Sequence, residues 1–143
     1  MRITVSGPPG SGTTTLAEFG RVAEEDPEID REIDERQTEI ARENDDIVLE
    51  GRLSGWMAED ADMRVWLDAP VDVRAERVAE REEQTVEEAR VEIEEREASE
   101  SKRYQEIHGI DIDDLSIYDL VVDTSTWDKD GVAEITATAV ERL

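Results

Sequence analysis

Between a β-prone run, Arg2-Ile3-Thr4-Val5-Ser6, and a run that can wind as a helix from Thr14 to Phe19 before Gly20, stand Gly7-Pro8-Pro9-Gly10-Ser11-Gly12-Thr13-Thr14. A glycine-rich turn joining strand to helix is the setting of a phosphate-binding loop, although a plain strand-to-helix turn has the same outline. Gly7, Gly10 and Gly12 let the backbone turn tightly and bring bare N–H groups close to a polyphosphate. The following helix points the positive end of its dipole at the same anion. Pro8, Pro9 and Ser11 belong to the same cradle, and Thr14 falls where a Mg2+-binding hydroxyl is expected. Thr13 stands where such loops usually carry lysine, so phosphate must be held by backbone dipoles alone or by positive charge from elsewhere.

Elsewhere means arginine. The 143 residues hold 40 acidic and 16 basic side chains, a formal net charge of −24, and 14 of the 16 basic residues are arginine. A nucleic-acid or anionic-membrane surface needs a basic patch, and this chain is expected to bind neither. Without cysteine there is no disulfide, thiolate metal site or thiol nucleophile. No leader and no long apolar run is evident, which leads us to expect a cytoplasmic protein. Acidity spread through regular apolar periodicity suggests a folded surface charged for a salty cytoplasm, with stability that depends on salt. The length suits one domain.

Along the chain, Asp26-Pro27 starts an amphipathic helix in which Ile29, Ile33, Gln37 and Ile40 recur to about Glu43. Ile47-Val48-Leu49 is a short apolar strand of the kind buried in a parallel sheet, and it runs into Glu50-Gly51-Arg52. Ligands of parallel sheets sit at the carboxyl ends of strands. Glu50 is therefore placed to orient Mg2+ or its waters and Arg52 to grip a substrate phosphate or base edge, unless the two simply pair with each other. Trp56 reads as a loop residue packed on the core, with base stacking as the alternative. Met63 to Asp68 is the next strand, and Pro70 opens a helix from Val71 through Glu82.

On that helix Arg74, Arg77 and Arg81 share one stripe, suited either to phosphate or to intrahelical pairing such as Arg77 with Glu80. From Thr85 to about Tyr104 a second helix starts a face with Val86 and Ile93 and continues it with Arg96, Glu100 and Arg103. Two guanidiniums about two turns apart can clamp a phosphoryl group in flight, whereas a solvated Arg-Glu-Arg ladder is the plainer use. His108 stands without metal-ligand company. Asp119 to Asp123 is the last strand, Thr124-Ser125-Thr126 lead into a loop able to line a nucleotide pocket, and a final helix from Gly131 covers the sheet with Val132, Ile135, Ala139 and Leu143.

In order and spacing, Gly7 to Gly12, Glu50-Gly51-Arg52, Ala61-Asp62 before the Trp66 strand, Arg74-Ala75-Glu76-Arg77, Ile93 to Arg103 and Val122-Asp123-Thr124-Ser125 resemble cytidylate kinases, especially those of salt-loving archaea. The resemblance covers nearly all of the chain from Asp26 onward, together with the phosphate loop. It implies a phosphate-loop NTPase fold of the nucleoside monophosphate kinase kind, α/β, with a parallel sheet and helices on both faces. It also implies transfer of the γ-phosphoryl of ATP to CMP or dCMP with Mg2+. We expect the chain to act as a monomer. Carried over, Gly10 to Thr14 hold the ATP phosphates, Arg52 contacts the CMP side, and Arg96 and Arg103 clamp the phosphates. Glu100 lies near the CMP sugar, and Arg77 or Arg81 flanks the adenine. A lid spans about 82 to 104, hinged near Glu82 to Thr85.

Two departures qualify this. Thr13 replaces the loop lysine, as in a variant loop of archaeal members. Relatives also carry some tens of further residues between Thr15 and Asp26, including an edge strand and monophosphate-binding helices. Here Leu16 to Glu25 joins the two sides directly. We expect that segment to be omitted from the sequence near 15 to 25 rather than lost. Rival expectations are a kinase for AMP, UMP or dTMP, and a nucleotide-binding protein without transfer activity.

Overall fold

A computed structural model of the chain describes residues 1–13, 22–24 and 47–143. Thr14, the helix expected from it to Phe19, and the helix expected from Asp26 to Glu43 lie outside the described residues.

Five parallel strands form one sheet: β1 (Arg2–Ser6), β2 (Val22–Glu24), β3 (Ile47–Glu50), β4 (Met63–Asp68) and β5 (Leu120–Asp123), in the order β2-β3-β1-β4-β5. The sequence leads to four of these strands. The fifth, β2, falls in the direct junction where an edge strand is expected to be missing, and it pairs Val22 with Val48 and Glu24 with Glu50. Three residues are too few to show a strand period, so the pairing rests on the neighbour strand. Central β1 registers Ile3 on Val48 and on Met63, which brings Val5 level with Glu50 and Val65. All strands therefore end on the side where the phosphate loop leaves β1.

Among the described residues the helices are α1 (Ser54–Met57), α2 (Val71–Glu82), α3 (Val86–His108) and α4 (Lys129–Glu141). Trp56, expected in a loop, lies on one-turn α1, half-buried beside Leu53 and Tyr104. Thr85 caps α3 by accepting from the Glu88 amide, and Gly109 ends it in a left-handed conformation with φ of 67°. Helix α4 starts earlier than expected because Asp128 accepts from the Gly131 amide.

Among the described residues, three apolar clusters hold these layers. Val5, Val65, Leu67 and Val122 of the sheet pack on Val132 of α4, each less than a tenth exposed, and burial of each such side chain is worth about 1.5–3 kcal/mol. Leu143 does not join them, being 60% exposed. Ala75, Val78 and Ala79 of α2 meet Ala89 and Ile93 of α3. Val86 does not belong to that face. It stands exposed in the first turn of α3, and the apolar stripe begins at Ala89. Leu53 and Tyr104 form the third cluster, with Ile110 and Ile112 of the connection after α3.

Candidate nucleotide site at the phosphate loop

Crowding fixes the shape of the loop. A Cβ on Gly7 would fall 2.4 Å from the Leu67 carbonyl oxygen, and Gly10 has φ of +79° with the backbone of Arg74 close behind it. The Ser11 amide donates to the Pro8 carbonyl at 3.2 Å and closes the turn.

Among the described residues, two cavities flank the loop. The smaller, about 260 Å3, opens against Ser11 and Gly12 and is walled by Arg77, Thr124, Trp127 and Lys129. The larger, about 450 Å3, opens against Pro8 and Pro9 and is walled by Arg52, Asp68, Arg74, Glu97 and Glu100 among others.

Thr13, in the lysine position, is buried, and its hydroxyl donates to Glu50 Oε1 at 2.8 Å. Glu50 and Arg52 do not pair with each other as their spacing allows. Arg52 instead donates from Nη1 to the Gly7 carbonyl at 2.8 Å and from Nε to Glu100 at 3.0 Å. Glu100 is only 3% exposed, and its other oxygen accepts from Arg96 Nε at 3.0 Å. A buried carboxylate between two guanidiniums satisfies the rule that buried charge is paired, and of these three side chains Arg52 and Glu100 line the larger cavity.

Arg96 and Arg103 are absent from the cavity wall and only partly buried, the Arg96 side chain being 38% exposed. Arg96 Nη2 and Arg103 Nε are buried without a hydrogen-bond partner among the described residues, and the Arg103 guanidinium lies 5.9 Å from the Tyr104 ring centre. A buried donor left unpaired costs about 1–3 kcal/mol, and an anionic oxygen would remove that cost.

The α2 stripe divides three ways. Arg77 donates to the Gly10 carbonyl at 3.0 Å, to the Thr124 hydroxyl at 2.9 Å and to the Thr124 carbonyl at 2.6 Å, and so lines the smaller cavity. Arg74 turns to backbone carbonyls and to Glu97. Arg81, expected as an alternative to Arg77, has a side chain that is 66% exposed and pairs with Glu82, and it lines neither cavity. One turn beyond Arg77, it has passed the loop.

Trp127 was not legible as a site residue. Its place just after the Thr124-Ser125-Thr126 loop at the end of β5 is the signal that points to it. That loop is set by Asp123, whose carboxylate accepts from the Ser125 hydroxyl at 2.6 Å and amide at 2.8 Å. These donors hold the Asp123 carboxyl below the usual carboxylate range. Thr124 then donates to the Ser11 carbonyl at 2.6 Å, joining β5 to the phosphate loop.

A family model for the cytidylate kinase-like family matches residues 15–126. The chain belongs to that family. A curated cytidylate kinase of Halobacterium salinarum is 48% identical over 172 aligned residues, taking in 99% of this chain and 90% of that protein. A cytidylate kinase of Pyrococcus furiosus is 50% identical over 171, with 99% and 88% covered. Against 143 residues here, the 172 aligned positions leave at least 29 in the Halobacterium family member without a counterpart. Among solved structures, a shikimate kinase of Acinetobacter baumannii superposes with a TM-score of 0.61 at 15% identity, covering 99% of this chain and 93% of that one. At that identity the likeness concerns the fold, which is that of the phosphate-loop kinases.

Proposed function

We propose that this protein transfers the γ-phosphoryl group of ATP to CMP or dCMP, giving ADP and CDP or dCDP. The observation that carries this is membership of the cytidylate kinase-like family with near-complete coverage of curated cytidylate kinases. A single phosphate loop serving two cavities supports it, one for a donor and one for an acceptor.

The donor base enters between Arg77 and Trp127, and the polyphosphate lies along the loop amides. The acceptor enters the larger cavity, where Arg52 meets its phosphate and Glu100 holds Arg52 and Arg96 in line. Arg96 and Arg103 then neutralise charge on the group in transfer. In-line transfer of this kind is mostly positioning and electrostatics, with no covalent intermediate on the protein.

Mg2+ fits here. It asks for hard oxygen donors and takes one or two carboxylates plus substrate phosphates. Glu50, held by the Thr13 hydroxyl beside the loop, supplies such a donor, and Thr14 is the second candidate from the sequence. Bound there, the ion would neutralise phosphate charge.

Residues missing between Thr15 and Asp26 would complete the acceptor wall, and the positions unmatched in the relatives support this. An intact mass well above 16.2 kDa is expected, and agreement with 16.2 kDa contradicts it. A cytoplasmic setting rich in salt suits the net charge of −24.

The test is ADP release from ATP with CMP, dCMP, UMP, AMP and dTMP in turn, at high and low KCl. Preference for CMP or dCMP is expected. Preference for another monophosphate moves the acceptor assignment, and ATP binding without release marks a nucleotide-binding protein, an outcome that Thr13 in the lysine position makes worth measuring.

A further inference from the structure

Three guanidiniums approach the phosphate loop from its carbonyl side. Arg52 donates to Gly7 at 2.8 Å, Arg74 to Pro9 at 3.3 Å and Arg77 to Gly10 at 3.0 Å. Arg52 and Arg77 have places in the account of ligand binding above, and Arg74 has none.

Arg74 is only 7% exposed. Its Nε donates to the Ala69 carbonyl at 2.8 Å, where β4 gives way to α2, and its Nη1 donates to both the Pro9 carbonyl and the Glu97 carboxylate. The loop also rests on its backbone, since a Cβ on Gly10 would meet the Arg74 carbonyl oxygen at 3.0 Å. Glu97 lies on α3 one residue from Arg96 and three from Glu100.

We propose that Arg74 is a positioning residue for phosphoryl transfer: it fixes the phosphate loop through Pro9 and ties it through Glu97 to α3, the helix that carries Arg96, Glu100 and Arg103. The inference rests on the phosphotransferase assignment above and adds a residue that holds the donor loop and the arginine helix at one spacing. A partly buried Arg–Glu pair is weak support for stability, and well-packed apolar residues would serve stability as well. What the pair provides instead is direction, because a planar guanidinium presents donors at fixed angles to several acceptors at once. It also places positive charge beneath a loop that lacks its lysine, beside a cavity walled by Asp68, Glu97 and Glu100. A displacement of about 1 Å between reacting groups can lower a rate about a hundredfold, so the spacing matters to turnover.

Arg74→Lys keeps the charge and loses the fork, whereas Glu97→Gln keeps the carbonyl contacts of Arg74 and loosens α3. ADP binding measured by calorimetry reads the loop, and kcat per folded molecule reads the alignment of loop and helix. For Arg74→Lys we expect ADP affinity and kcat each to fall about tenfold. For Glu97→Gln we expect kcat to fall about fivefold with ADP affinity within about twofold of the parent protein. Parent-like ADP affinity and kcat in folded Arg74→Lys overturn the inference, even if its Tm falls. Should Arg74→Lys not fold, Glu97→Gln decides, and an unchanged kcat there is contradictory. A parent protein that binds ADP yet phosphorylates no monophosphate contradicts the proposed function instead, and the ADP titration still judges Arg74.

Discussion

The hydroxyl of Thr13 donates to the carboxylate of Glu50 across 2.8 Å, so the residue in the lysine position of the phosphate loop is bonded to an acid at the end of the neighbouring strand. An ammonium there would neutralise phosphate charge directly. A threonine instead fixes the carboxylate that we propose as a metal ligand. Glu50→Gln should lower kcat about a hundredfold and raise the Mg2+ concentration needed for half-maximal rate. Initial rates across a Mg2+ titration check this, and an unaltered Mg2+ dependence removes Glu50 from the metal site.

Arg96 and Arg103 keep buried donors that no described residue accepts. Replacing either by alanine should cut turnover by at least about a hundredfold, with a smaller effect on ATP affinity, if each stabilises the group in transfer more than the ground state. Near-normal turnover in one variant excludes that arginine from the role.

The surroundings of the phosphate loop were partly legible because such loops have a local signature and parallel strands end at a common edge. The loop follows β1, Glu50 closes β3 beside it, and Arg52 and Arg77 donate to its carbonyls. What was not legible depends on contacts between distant segments. The Thr13–Glu50 bond spans 37 residues and the Arg74–Pro9 bond spans 65. Helical spacing puts Arg74, Arg77 and Arg81 on one stripe without showing that the loop ends beside the first two. Spacing likewise puts Val86 with Ile93, although α2 offers nothing for Val86 to pack on. Strand β2 is three residues long and has too little pattern of its own to be read.

Tyr118 is buried against Trp66, ring centres 5.2 Å apart, and burial pushes its phenol up to about 12. Between about pH 10 and about pH 12 the unfolded chain gives up this proton while the folded chain retains it, so stability is complete below about pH 10 and declines above it. The full span is worth about 3 kcal/mol. Denaturant unfolding at a series of alkaline pH values should show this decline, and Tyr118→Phe should flatten it. A Phe variant with the same alkaline decline contradicts the assignment.

Glu83, between α2 and α3, has φ of 54°, the one non-glycine residue with positive φ among the described residues. A left-handed conformation costs a residue with a side chain about 1–2 kcal/mol, partly offset by the greater freedom that glycine loses on folding. Glu83→Gly should therefore stabilise the protein by about 0.5–1 kcal/mol and raise its Tm by a few degrees. A lower Tm would show that this turn gains more from the Glu83 side chain than it loses to strain.

The most direct measurement follows the phosphorus label of γ-labelled ATP in the presence of CMP and Mg2+. Label should appear in CDP at the rate at which ADP forms, with none retained on the protein. Label found only in inorganic phosphate, held covalently by the chain, or left in ATP while the nucleotides are bound would contradict direct transfer between two nucleotides across the phosphate loop.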